Sequence, residues 1–168
     1  VALARRSGII PFFGFSLTSL FLAISIMPFI KIYVHLVFTT KNSRQFLDTP
    51  DKRTKVWQHI KENSLKKDVH IDCVNGYSQH CHCLVSLRAN QTIAQVAQLI
   101  KGESSFWINK NKITQETFGW QTEYWAVSVS ESIMPNVRKY IWNQEQHHTK
   151  KTYKEEIKEF IDKYGEGS

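Results

Sequence analysis

Cysteine is scarce, with three residues in a chain of 168. Cys73, Cys81 and Cys83 stand in two apolar, strand-like runs, which excludes a disulfide scaffold. A chain of this length can bury a core without such staples, and the cysteines suit a reducing compartment as small core residues. Acidic residues are also in deficit: 15 Asp and Glu against 22 Lys and Arg leave a formal charge of +7. That balance fits a phosphate-rich partner, and it equally serves plain solubility. The aromatic motifs by which RNA-binding ferredoxin-like domains stack bases are missing as well. Charge of either sign is absent from residues 8–30, which follow Arg5-Arg6. Such a run has the composition of a membrane span or a signal-peptide core, although Pro11, Gly14, Ser16, Thr18, Ser19, Ser25 and Pro28 dilute it. No clean small-x-small cleavage site closes it.

What is present is concentrated in two stretches. Gln79-His80-Cys81-His82-Cys83-Leu84-Val85-Ser86-Leu87 reads as a strand entered from Asn75-Gly76. Side chains two apart on a strand share a face, so His80 and His82 point one way and Cys81 and Cys83 the other. That opposition argues against a Cys/His zinc knuckle. The second stretch, Val137-Arg138-Lys139-Tyr140-Ile141-Trp142-Asn143-Gln144, reads as helix. Its four-residue step puts the Tyr140 phenol and the Gln144 carboxamide on one side. Closing that side over the histidines would set a nucleophilic hydroxyl beside a divalent-metal site, a layout for phosphoryl transfer. Taken singly, the histidines read equally well as solvent-side residues of a half-covered sheet, and Tyr140 as a cover for it.

The rest of the chain supplies a frame. Residues 30–39 form a strand with Val34, Leu36 and Phe38 on one face and Tyr33, His35 and Val37 on the other. His35 either approaches a metal on that second face or bonds a neighbouring backbone group. Residues 51–67 read as a helix after Pro50, with Val56, Ile60 and 63–65 inward and Lys52, Arg53, Lys55, Lys61, Lys66 and Lys67 solvated. Strands at 69–74 and 81–87 pair through a loop at 75–79, with Val69, Ile71 and Cys73 matching Cys81, Cys83, Val85 and Leu87 as core. Thr92 caps a helix running to about residue 109, with Ile93, Val96, Leu99, Ile100 and Phe106 inward and Gly102 interrupting it. Residues 111–121 are mostly loop, in which Phe118 and Trp120 are core or stacking platforms for bases. A strand at 122–130, a helix from Pro135 to about residue 148 and a short helix within 150–164 complete the pattern. Strand, helix, strand, strand, helix, strand predicts an α+β, ferredoxin-like split βαβ antiparallel sheet. Two helices cover one face, and a C-terminal tyrosine-bearing helix crosses the other.

These pieces resemble the IS200-like (IS200/IS605) single-tyrosine transposase family, including its repeat-associated relatives. The matching residues are 33–42 of the first strand, His80-Cys81-His82, Lys101-Gly102-Glu103-Ser104-Ser105, Phe118-Gly119-Trp120-Gln121, and 140–148. They cover the chain from about Met27 onward, and their joint order is highly specific. The resemblance implies a transposase domain at 27–168 that cleaves and rejoins single-stranded DNA through a 5′-phosphotyrosine on Tyr140. It implies Mg²⁺ or Mn²⁺ held by His80, His82 and Gln144, and hairpin or palindromic DNA ends as substrate. A homodimer and a cytoplasmic location follow from the same likeness. Lys41, Arg44, Lys101 and Ser104 become expected DNA contacts. Residues 1–26 are expected to be non-native sequence ahead of a start at Met27, with membrane association only if they are native. Family members commonly carry an acid just before the first motif histidine, where this chain has Gln79. Its loss would weaken the orientation of an imidazole. The rival expectations are a non-catalytic nucleic-acid-binding protein and an inactive transposase remnant.

Overall fold

The structure, a computed structural model, describes residues 30–149 together with 151, 153, 155, 156, 158 and 159. The expected extension at 1–26 lies outside the described residues. Four strands, β1 (Ile32–Thr39), β2 (His70–Tyr77), β3 (His80–Leu87) and β4 (Trp125–Val129), form one sheet in the order β2-β3-β1-β4, each neighbouring pair antiparallel. Helix α1 (Pro50–Lys66) connects β1 to β2, and α2 (Ile93–Lys110) connects β3 to β4. This is the split βαβ arrangement expected from the order of elements.

Local sequence explains the boundaries. Thr49 accepts a hydrogen bond from the Lys52 backbone and Pro50 opens α1, while Thr92 and Gln95 close a reciprocal capping box on α2. Strand alternation divides the sheet into two faces. Val34, Leu36, Phe38, Cys81, Cys83 and Val85 join Val56, Ile60, Val96, Ile100, Phe118 and Trp120 in the main core beneath α1 and α2. The opposite face gathers Cys73, Leu84 and Val129 under Met134 and Ile141. Those last two belong to α3 (Met134–Trp142), which is followed by α4 (Gln144–His148).

Several local readings are corrected. The hairpin loop shrinks from 75–79 to Ser78-Gln79, because β2 extends to Tyr77. A Cβ at Gly76 would stand 2.2 Å from the His80 carbonyl oxygen, so only glycine allows β2 this close to the first motif histidine. A register shift between Ile71 and Cys73 moves Cys73 out of the main core to the opposite face, as a bulge does. The single helix expected from Pro135 to residue 148 is divided at Asn143. Arg53, read as solvated, is buried and donates to the Leu47 carbonyl and the Glu145 carboxylate. Leu65 and Phe106, read as inward, are 69% and 64% exposed. No helix among the described residues is long and apolar enough to cross a membrane.

A candidate metal and tyrosine site

The site is built on the face that α1 and α2 leave open. On β3, His80 and His82 alternate with Cys81 and Cys83, so both imidazoles project away from the main core. On β1, His35 stands opposite Leu84, and His82 stands opposite Val37. That diagonal brings His35 Nε2 to 3.0 Å from His82 Nδ1. The His82 ring is thereby held by one nitrogen, and its Nε2, buried and without a hydrogen-bond partner, faces the overlying helices. His35 thus meets another histidine on that face.

Helices α3 and α4 are fastened over these histidines by packing and by polar ties. Met134 and Ile141 bury against Leu84 and Val129. Arg138 donates to Asp72 on β2 at 2.9 Å and 2.5 Å, Asn75 donates to the Trp142 carbonyl at 2.9 Å, and Arg53 donates to Glu145 at 2.9 Å. The division at Asn143 preserves the helical path, since the Asn143 amide bonds the Lys139 carbonyl at 3.1 Å. Tyr140 and Gln144 therefore keep the shared side that their spacing predicts. Gln144 is fully buried with Oε1 3.2 Å from His80 Nε2, and Tyr140 sets its ring edge against His35 and His82.

Sequence reasoning missed Glu156. Its side chain enters the site from the C-terminal segment, where Tyr153, Glu155, Glu156, Lys158 and Glu159 are helical. This is the described part of the helix expected within 150–164. Glu156 is 6% exposed, accepts the Tyr140 hydroxyl proton at Oε1, and stands 3.5 Å from His82 Nε2 and 3.7 Å from His80 Nε2. Donor atoms of His80, His82 and Glu156 all fall within 4.8 Å of one another, a spacing at which one ion can be shared. Two of the orphaned buried atoms there, His82 Nε2 and Glu156 Oε2, have the polarity such an ion satisfies. The residues present therefore fit a divalent metal. Tyr153 and Glu156 are three residues apart and share a helical face, the one sequence signal that could have found this carboxylate. His147 and His148, three and four residues after Gln144, offered the same kind of signal.

Burial sets the protonation of the cluster. It lowers the His35 and His80 imidazoles to about 4, and it holds His82 well below its ordinary value, with His80 and His35 adding to the effect. All three are neutral at pH 7 and present lone pairs. Burial alone would raise Glu156, but the imidazoles around it and the hydrogen bond from Tyr140 overcome that, hold its value down and keep the group a carboxylate. Burial and the Glu156 charge push the Tyr140 phenol up, so without an ion the hydroxyl keeps its proton. Tyr153, stacked on His80 with centroids 4.9 Å apart, is pushed up to about 12 by burial.

The chain belongs to the IS200-like transposase family. The model of that family, described as transposase IS200 like, matches residues 29–144, from just ahead of β1 through Gln144. Among solved structures, the chain resembles a candidate transposase from Deinococcus radiodurans R1, with a TM-score of 0.56 and 18% identity over 70% of this chain and 93% of that one. It also resembles a REP-associated tyrosine transposase bound to a REP hairpin, with a TM-score of 0.54 and 17% identity over 73% of this chain and 72% of that one. At these identities the likeness is one of fold. No curated protein matches the chain.

The expected DNA contacts fall in different settings. Lys41 and Arg44 follow the end of β1 that pairs with His80; Lys41 is exposed, and Arg44 donates to Glu116 at 2.5 Å. Lys101 lines a cleft of about 480 Å³ with Gly102, Trp120 and Tyr124, and its ammonium donates to the Thr122 carbonyl at 2.6 Å. Ser104 is buried, donating to the Ile100 carbonyl and accepting from Trp120 Nε1, so it serves packing rather than a surface phosphate. Phe118 and Trp120 are core, edge to face with each other at 4.8 Å. Gln79 turns its amide to the Ser78 hydroxyl at 2.6 Å, while His80 Nδ1 is buried without a partner.

Proposed function

We propose that the chain is a metal-dependent transposase that cleaves and rejoins single-stranded DNA through a 5′-phosphotyrosine on Tyr140. The observation that carries this reading is the Tyr140 hydroxyl standing against the same carboxylate that faces His80 and His82. His80, His82, Gln144 and Glu156 would hold Mg²⁺ or Mn²⁺. When bound, the ion supplies positive charge that polarises the scissile phosphate and offsets charge building on it. Tyr140 Oη attacks phosphorus and the 3′-oxygen leaves as a free hydroxyl, which conserves the phosphoester for a later strand to reverse the step. Glu156 holds and orients the Tyr140 hydroxyl beforehand, and the neutral His35 fixes the His82 ring with its free nitrogen aimed at the site.

The substrate reading is single-stranded DNA bearing a hairpin, as in the REP-hairpin complex of a relative with the same fold. Lys41, Arg44 and Lys101 are the proposed phosphate contacts, and a homodimer is the proposed working form. Replacing Tyr140 with Phe removes one oxygen. Cleavage of a hairpin-bearing oligonucleotide is expected to fall on the order of 10⁴-fold or more while gel-shift binding persists. Cleavage by this variant at the wild-type rate would end the proposal. The unpartnered His80 Nδ1 beside Gln79 favours one second reading, a remnant that binds DNA without cleaving it. The same assay on the wild-type chain separates the two.

A further inference from the structure

His148 closes α4 one turn after Gln144 and comes to the motif histidines from above. Its Nε2 lies 3.1 Å from His80 Nε2 and 3.2 Å from Glu156 Oε2. Its other ring nitrogen, Nδ1, is 3.1 Å from the Lys151 carbonyl oxygen, which can only accept. Nδ1 therefore carries the proton and Nε2 presents a bare lone pair to the cluster. The His82 ring is held in the same manner, with Nδ1 against His35 and an unpartnered Nε2 that is 3.5 Å from Glu156 Oε1. With His80 Nε2 at 3.7 Å, three imidazole Nε2 atoms thus face one buried carboxylate within 3.7 Å, and His147 Nε2 stands farthest, at 3.9 Å.

His148 to His80, and each of these imidazoles to the Glu156 carboxylate, are spaced by 3.1 to 3.7 Å, as neighbouring ligands of a single small dication are, and the donors of His80, His82 and Glu156 all fall within 4.8 Å. Ligand bonds of about 2.1 Å separate adjacent donors by about 3.0 Å in an octahedron and about 3.4 Å in a tetrahedron. The donor types then decide the ion. Mg²⁺ takes oxygen and keeps its waters, whereas imidazole nitrogen suits first-row transition metals. We infer that His148 and Glu156 complete, with His80 and His82, a three-imidazole, one-carboxylate site that takes a transition-metal dication such as Mn²⁺ or Zn²⁺ and discriminates against Mg²⁺. Tyr77 stacks on the His148 ring at 4.9 Å, and a cleft of about 320 Å³ lined by Tyr77, Gln79, His148 and Tyr153 gives the ion a way in. The inference rests on the proposed function in taking this ion to be the one used in strand cleavage.

The test needs no DNA. Full-length protein freed of metal by a chelator is titrated calorimetrically with MnCl₂, ZnCl₂ and MgCl₂ in turn. Mn²⁺ is expected to bind at least about tenfold more tightly than Mg²⁺, and H148A to lose about 10–100-fold in Mn²⁺ affinity with an unchanged circular-dichroism spectrum. Electron–nuclear double resonance of bound Mn²⁺ with ¹⁵N-histidine-labelled protein is expected to report one fewer imidazole in H148A and in H148Q. The glutamine variant keeps a hydrogen-bonding side chain and guards against collapse of the segment. Mg²⁺ displacing equimolar Mn²⁺, or an unchanged imidazole count and affinity in both variants, would overturn the inference. In that event Tyr140-dependent cleavage in Mg²⁺ would leave the proposed function standing. Mn²⁺ binding as expected with cleavage independent of Tyr140 would remove that function and keep the metal site.

Discussion

The two faces of one sheet are made from alternate residues of the same strands and do opposite work. On the face beneath α1 and α2, β1 and β3 place Val34, Leu36, Phe38, Cys81, Cys83 and Val85 in apolar packing. One position along, the same strands place His35, His80 and His82 against Tyr140, Gln144 and Glu156. The first face gains stability from area removed from water. The second buries polar atoms, His80 Nδ1, His82 Nε2 and Glu156 Oε2 among them without partners, and so gives up stability for a site that an ion can satisfy. A single alternation of strand residues is thus enough to separate folding from chemistry.

Changes on the two faces should separate the same way. Phe38 is fully buried and packs edge to face on Trp120 with centroids 4.8 Å apart. Phe38→Ala should cost about 3–5 kcal/mol in urea unfolding, and molecules that remain folded should cleave at the wild-type rate. A loss of catalysis per folded molecule would break the separation. His82→Ala is the converse. It should lower cleavage on the order of 10²–10³-fold, about 2.7–4 kcal/mol in the barrier, with a much smaller change in the urea midpoint. Wild-type cleavage by this variant would exclude the histidine face as the site.

The smallest effect per residue is in pH. His35 and His80 have folded-state values of about 4 against 6.5 unfolded, so between those values the unfolded chain binds more protons. Stability without metal is complete above about pH 6.5 and is lost as pH falls towards 4. About 2 kcal/mol per histidine should be missing at pH 5. Urea midpoints in chelator at pH 5 and pH 7 check this, and Mn²⁺ at pH 7 should raise the midpoint further. Equal midpoints at the two pH values would mean that these imidazoles are not buried as described.

Much of this division is legible in the chain. The two-residue period of 33–38 and 80–87 assigns Val34, Leu36, Phe38, Cys81 and Cys83 to one face and His35, His80 and His82 to the other, because one face of each strand is buried. The step from Tyr140 to Gln144 likewise survives the division at Asn143. Cys73 was misplaced because a bulge leaves no mark in composition. Arg53 was misread because its partners, Glu145 and the Leu47 carbonyl, are set by tertiary folding, and a helical wheel shows only a cation. Glu156 escaped because it reaches the site from a lysine- and glutamate-rich stretch, where a buried carboxylate and a solvated one look alike.

The claim that Tyr140 is the nucleophile is tested most directly by mass spectrometry. The full chain is incubated with a labelled hairpin-bearing oligonucleotide and Mn²⁺, digested, and searched for a peptide carrying a 5′-phosphonucleotide. The account predicts one adduct, on the Tyr140 phenolic oxygen, absent from Tyr140→Phe and from chelator-treated samples. An adduct on Tyr153, whose ring stacks on His80 in the same site, or cleavage with no covalent adduct at all, would contradict it.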